Sequence, residues 1–278
     1  MPTFENEESD TMKDAEAIGH IMATEGLASP GATVHSARLP RGAVVHGVAV
    51  EPEQAERAWR FWRGRAEGLV PFLTTRVTSE EQLRSLAAAA AGEPVPEMTA
   101  EAADRAVADI VGRVGARSVA EAYPEDLAEE EELRDAARLA DLLDEPSGTP
   151  LPGDPLAFRE RWGSRPLWLL LVETTGSHRL PLLLPGFLRN GATAYPDLTP
   201  LTPGDHAAFL RHWQDRYGAN VFFMNGAEIQ LQVEHPPLDG RTIAELALEH
   251  NAYCDDLADV VDTANGQARS TVWSFWWD

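Results

Sequence analysis

The last seven residues of the sequence, Val272-Trp273-Ser274-Phe275-Trp276-Trp277-Asp278, put three tryptophans and a phenylalanine where chain ends are ordinarily polar and frayed. An exposed run of this kind would form a contiguous apolar patch, so it has to be covered. It is too short for a helix of its own, and the preceding Ser270-Thr271-Val272 favours extended chain. Thr271 to Trp277 is therefore expected to be a strand of the main sheet. Alternation would put Trp273, Phe275 and Trp277 on one face and Ser274 and Trp276 on the other. The first face must meet core helices, while Trp276 covers the opposite face or lines a groove. The competing reading is an exposed aromatic docking tail.

The C-terminal half supplies partners for such a strand. Leu167 to Val172, Leu180 to Leu184, Val221 to Met224 and Ile229 to Val233 read as short apolar strands. Asn225-Gly226 between the last two is a hairpin signal. Thr242 and Glu245 have capping-box spacing for a helix running to about Asn251. Before this half lies a proline- and glycine-rich linker, Glu145 to Pro155.

Upstream, residues 1–35 read as a weakly ordered acidic lead-in. Residues 36–96 read as an α/β segment sharing the main sheet, with strands Val44–Val50 and Leu69–Leu73 flanking a helix from Glu53 to Glu67. Ser79 and Gln82 have capping-box spacing ahead of an alanine-rich helix that Gly92 can end. Residues 97–148 read as an acidic helical insert, with helices near 100–114 and 125–143, and residues 149–278 as a Trp-rich domain. The expected class is α+β, with a mixed or antiparallel sheet, packed helices and the acidic insert. Trp62-x-x-Arg65, Trp162-x-x-Arg165 and Trp213-x-x-Arg216 each close an expected helix. They are either anion-facing Trp/Arg pairs or a recurrent helix-to-strand hinge.

Charge narrows the classes of partner. There are 45 acids against 23 bases, a net of −22, and such a surface repels nucleic acid and anionic membranes. It favours a basic protein partner, unless the charge is a general compositional bias. Lys13 is the only lysine, a pattern fitting the codon bias of a GC-rich bacterial genome. Cys254 is the only cysteine, so no intrachain disulfide can form. With no signal-peptide pattern in the acidic N-terminal segment and no apolar run of membrane length, a cytoplasmic location is expected.

Catalytic motifs are missing: no phosphate loop, nucleophile elbow, HExxH or zinc-spaced cysteine pair occurs. No catalytic residue, metal or cofactor is expected. The densest polar group is Glu249-His250 with Cys254, Asp255 and Asp256, preceded by His206 and His212. Adjacent helical residues such as Glu249 and His250 point about 100° apart and do not converge on one ion. A lone cysteine such as Cys254 is more often a small buried hydrophobe than a nucleophile. His178 is expected in an exposed turn. If a small ligand binds, the cleft is drawn from Arg216, Glu249, His250, Cys254, Asp256, Trp273 and Trp276.

Leu210-Arg211-His212-Trp213, Pro236-Pro237, Ala247-Leu248-Glu249-His250, Tyr253-Cys254-x-Asp256 and the terminal Trp273-Ser274-Phe275-Trp276-Trp277-Asp278 together resemble the domain of unknown function 4253 family. The resemblance covers roughly residues 180–278. The position between the cysteine and the aspartate, usually proline in that family, is Asp255 here. The resemblance implies an α+β bacterial domain and carries no activity. Two functions therefore compete: a non-enzymatic immunity- or adaptor-type protein binding a basic partner, and an enzyme or small-ligand binder with a Trp-lined cleft near Glu249, His250 and Cys254.

Overall fold

The computed structural model describes residues 5–65, 68–90, 92, 97–123, 126–144, 148–163, 165–188 and 201–277. The chain opens with α1 (Glu5–Thr24), β1 (His35–Arg38), β2 (Val44–Val50), α2 (Pro52–Arg63), β3 (Leu69–Thr74) and α3 (Glu80–Ala88). Next come α4 (Ala100–Glu121), α5 (Leu127–Arg134), α6 (Ala136–Leu142), α7 (Arg159–Trp162), β4 (Leu167–Glu173) and α8 (Leu180–Leu183). The C-terminal part holds α9 (Pro203–Tyr217), β5 (Asn220–Met224), β6 (Glu228–Gln232), α10 (Gly240–Tyr253), α11 (Val260–Asn265) and β7 (Val272–Trp276). The fold class is α+β with mostly antiparallel strand pairing.

The chain divides into two compact units. One comprises Met1–Pro96, Pro155–Leu188 and Val221–Gly226; the other Glu97–Asp154, Arg189–Asn220 and Ala227–Asp278. In the first, strands run in the order β1-β2-β4-β3-β5, antiparallel except for the parallel β3/β5 pair. β4 is buried along its length from Leu167 to Val172, as a continuous apolar strand requires. Trp59 and Trp62 of α2 pack into this unit's core with Phe158, Phe222 and Phe223. The Trp59 indole N–H donates to the carbonyls of Pro71 and Val221 at 3.1 and 2.9 Å. Within the stretch expected as a lead-in, Ile18, Met22 and Leu27 enter the same core.

Several local expectations change. Leu180 to Leu184, expected as a strand, forms the short helix α8, because Pro181 lacks a ladder donor and suits a first helical turn. His178 is buried rather than exposed. The expected helix over 125–143 is two helices, broken where the Asp135 carboxylate accepts from the N–H groups of Ala137 and Arg138. α10 starts at Gly240, not at Thr242, because Asp239 is its cap and accepts from the Thr242 N–H at 2.9 Å. Arg65 lies over Trp62 at 5.7 Å and Arg165 over Trp162 at 5.3 Å, both as cation–π pairs.

The second unit is built around β7. β6 and β7 pair antiparallel, with Ile229 opposite Phe275 and Leu231 opposite Trp273. Burial alternates along β7: Trp273 and Phe275 are enclosed, while Val272, Ser274 and Trp276 are half-buried. Trp277 beyond it is also buried, so the three-aromatic face meets the helices as alternation predicts. Phe275 stacks on Trp213 of α9 at 5.2 Å with nearly parallel rings. Tyr253 of α10 packs edge-on against Phe275 and Trp277.

Side chains close the far edge of β7. The Ser274 N–H donates to Gln267 Oε1, the Val272 N–H to Ser270 Oγ, and the Trp276 carbonyl accepts from Cys254 Sγ. An edge satisfied this way offers little to an incoming strand. Gly153 belongs at this edge because a Cβ there would lie 2.5 Å from that of Val272.

Trp273→Ala should destabilise the second unit by about 3–5 kcal/mol, the range for emptying a core aromatic site. Denaturant melts followed by near-UV circular dichroism check this. An unchanged midpoint would contradict the core assignment.

Candidate functional site

In the second unit a polar cluster joins α4, α9 and α10. α9 is fixed at both ends. Thr202 and Asp205 form a reciprocal capping box, with Pro203 in the first turn. Gly218 ends the helix at φ +63°, where a side chain would be strained and would also press on Glu234. Between these ends, His206, Phe209, Trp213 and Tyr217 recur at helical spacing and are buried. His212, one position before Trp213, lies on a different side.

Glu249 of α10 is the hub. Its Oε2 accepts the Trp213 indole N–H at 2.8 Å, and its Oε1 lies 3.0 Å from His212 Nε2. His212 Nδ1 in turn lies 2.6 Å from Asp104 Oδ1 of α4. The His212 side chain is 3% exposed, that of Glu249 11% and that of Asp104 50%. Carboxylate, imidazole and carboxylate thus form a line running from the interior to the surface. Burial alone would lower the proton affinity of His212. Hydrogen bonds and charge from Glu249, with the bond to Asp104, outweigh burial and raise it, against an opposing contribution from Arg216. Burial also raises the Tyr217 hydroxyl pKa, and the Glu249 charge adds to the effect.

The other two histidines of α9 and α10 are core groups. His250 is fully enclosed, edge-on to Trp273 at 4.6 Å, to Phe275 at 5.0 Å and to Trp213 at 5.1 Å. Burial lowers its pKa to about 3. His206 Nδ1 lies 2.8 Å from the Tyr253 hydroxyl, and burial lowers this histidine's pKa to about 4. His250 Nε2 and Trp273 Nε1 have no hydrogen-bond partner among the described residues. The edge-on contact between those two rings is the geometry of a weak N–H···π interaction.

The residues singled out in the sequence do not converge. Glu249 joins His212 and Trp213, whereas His250 and Trp273 belong to the aromatic core. Cys254 ends α10 and is buried; loss of solvent pushes its thiol up to about 12, so it is not a thiolate at neutral pH. Arg216 and Asp256 are exposed, and Trp276 is half-buried on β7. Asp104 was not singled out. Its only signal is an acid beside Ala103, on a helix whose buried apolar positions are Ala103, Val107 and Ile110. Among the described residues no group of three or more His, Cys, Asp or Glu side chains is arranged to hold a metal ion.

Because His206 and His250 are neutral when folded and protonate readily when unfolded, the unfolded chain binds more protons below about pH 6.5. Stability of the second unit should therefore fall as pH drops from about 6.5 toward 4, by up to about 1.4 kcal/mol per pH unit for each histidine. Unfolding midpoints against pH check this, and the His206→Gln/His250→Gln variant should show a shallower slope.

No curated protein and no solved structure matches the chain. The stretch from α9 to β7 lies within residues 193–278, and this C-terminal segment matches the family described as Domain of unknown function (DUF4253).

Proposed function

We propose that this protein is a non-enzymatic interaction protein, of immunity or adaptor type, that binds a basic partner through α4, α5 and α6. The observation that carries the reading is α5, Leu127–Arg134: none of its residues is buried. Arg134 at its end donates to Glu130, to Asn251 Oδ1 at 2.8 Å and to Ser118 Oγ at 3.1 Å. Around it Glu129, Glu131, Asp135 and Asp141 are exposed. The same segment exposes large apolar side chains: Tyr123 at 71%, Leu142 at 49% and Leu127 at 38%. Acids set among exposed apolar groups suit a partner with basic residues around an apolar anchor.

Other observations favour this reading over an enzyme. The Cys254 thiol and the His250 imidazole, the best nucleophile–base pair in the sequence, are both buried in forms unsuited to that work. No helix among the described residues is long and apolar enough to cross a membrane. With a single cysteine and no cross-link to form, we place the action of the protein in the cytoplasm.

The test compares the full chain with its Tyr123→Ser/Leu127→Ser/Glu129→Gln/Glu131→Gln variant as baits in lysate of the source organism. This variant keeps the Arg134 contacts. The wild-type bait should retain a protein of net positive charge that elutes as salt is raised. The variant should melt like wild type and retain about tenfold less, as loss of a contact hot spot implies. Equal retention by both baits, or capture of an acidic protein only, would contradict the proposal.

A further inference from the structure

We infer that His212 is a pH-operated clamp: as an imidazolium it ties α4 to α9 and α10, and on losing its proton it releases α4. Both ring nitrogens face carboxylate oxygens, Nδ1 toward Asp104 at 2.6 Å and Nε2 toward Glu249 at 3.0 Å. A neutral imidazole carries one N–H and one lone pair. It would therefore set a lone pair against a carboxylate at one of the two contacts. Only the doubly protonated ring donates to both. Trp213 donates to the second oxygen of Glu249, so that carboxylate is committed as an acceptor on both sides.

The clamp matters because the apolar burial of α4 is sparse. Over 22 residues, its buried hydrophobic side chains among the described residues are Ala103, Val107 and Ile110. None of the three is aromatic, and burial energy scales with apolar area. α4 packs on α9 and α10, and the His212 contacts bridge all three helices.

The charged and titratable groups around the ring set the direction of the switch. Asp104 faces it from α4 and Glu249 from α10, while Arg216 opposes its charge from α9. Nearby, the Tyr217 hydroxyl of α9 feels the charges of Glu249 and Glu245 of α10, with an opposing influence from Arg216. The net effect is a proton affinity above the ordinary histidine value of 6.5. A group bound more tightly in the folded state contributes its full stabilisation below its unfolded pKa and loses it as pH rises through the folded one. The clamp is thus closed at mildly acidic pH and opens as pH rises through a titration displaced above the ordinary histidine value.

The experiment uses the full chain. Long-range ¹⁵N spectra of the imidazoles report the protonation of His212 from about pH 6 to about pH 9. Amide hydrogen exchange over the same interval, corrected for intrinsic base catalysis, reports the seating of α4. His212 should carry two ring protons at about pH 6 and lose one at a higher pH than an ordinary histidine. Protection of α4 should be lost as His212 titrates, while α10 keeps its own. Asp104→Asn removes one carboxylate at a half-exposed position, and it should move the His212 titration and the loss of α4 protection to lower pH together. His212→Gln should lower α4 protection on the acidic side of the titration and abolish its pH dependence; if that variant does not fold, Asp104→Asn still decides. A neutral His212 at about pH 6, α4 protection flat through the titration, or a titration unmoved by Asp104→Asn would each overturn the clamp.

Discussion

The second unit depends on where one carboxylate goes. Glu249 is buried on α10, and both its oxygens are used: one by the Trp213 indole, the other by His212. A carboxylate enclosed without such donors would cost several kcal/mol. Its pairing also sets the register of α9 against α10. Once Trp213 is placed, Phe275 stacks on it, β7 is aligned beneath, and Tyr253 closes the remaining gap against Trp277. The polar pair therefore orders an aromatic cluster that alone would tolerate several packings.

This organisation explains why the most reactive-looking residues are chemically quiet. His250 and Cys254 lie on α10 and at its end, on the side turned to the aromatic cluster and to β7. Burial holds one neutral and the other protonated. The thiol hydrogen serves the Trp276 carbonyl at 3.1 Å, a structural task at the edge of β7. Charge that reaches solvent is concentrated elsewhere, on α4, α5 and α6, where burial is sparse.

Much of this was legible from local pattern. The β7 alternation, the strands over Val44–Val50 and Leu167–Val172, and the Ser79 cap follow from periods and spacings that act over a few residues. The C-terminal segment was recognisable largely from residues that are core, Trp213, His250, Tyr253, Trp273 and Phe275 among them. The rest depended on tertiary context. The Asp104–His212–Glu249 line joins residues 108 and 37 positions apart in sequence, and no spacing rule connects them. Adjacency made Glu249 and His250 look like one polar group, yet their 100° divergence sends one to His212 and the other into the aromatic core. The Leu180–Leu184 run shows the limit of apolar composition, since Pro181 decides its conformation.

The claim that Glu249 and His212 are coupled, rather than merely adjacent, is tested most directly by a double-mutant cycle. Wild type, His212→Ala, Glu249→Ala and the double variant are unfolded by denaturant near pH 6. The account predicts a favourable coupling of about 1–3 kcal/mol, the range for contacting residues in one network. Additivity within about 0.5 kcal/mol would contradict it.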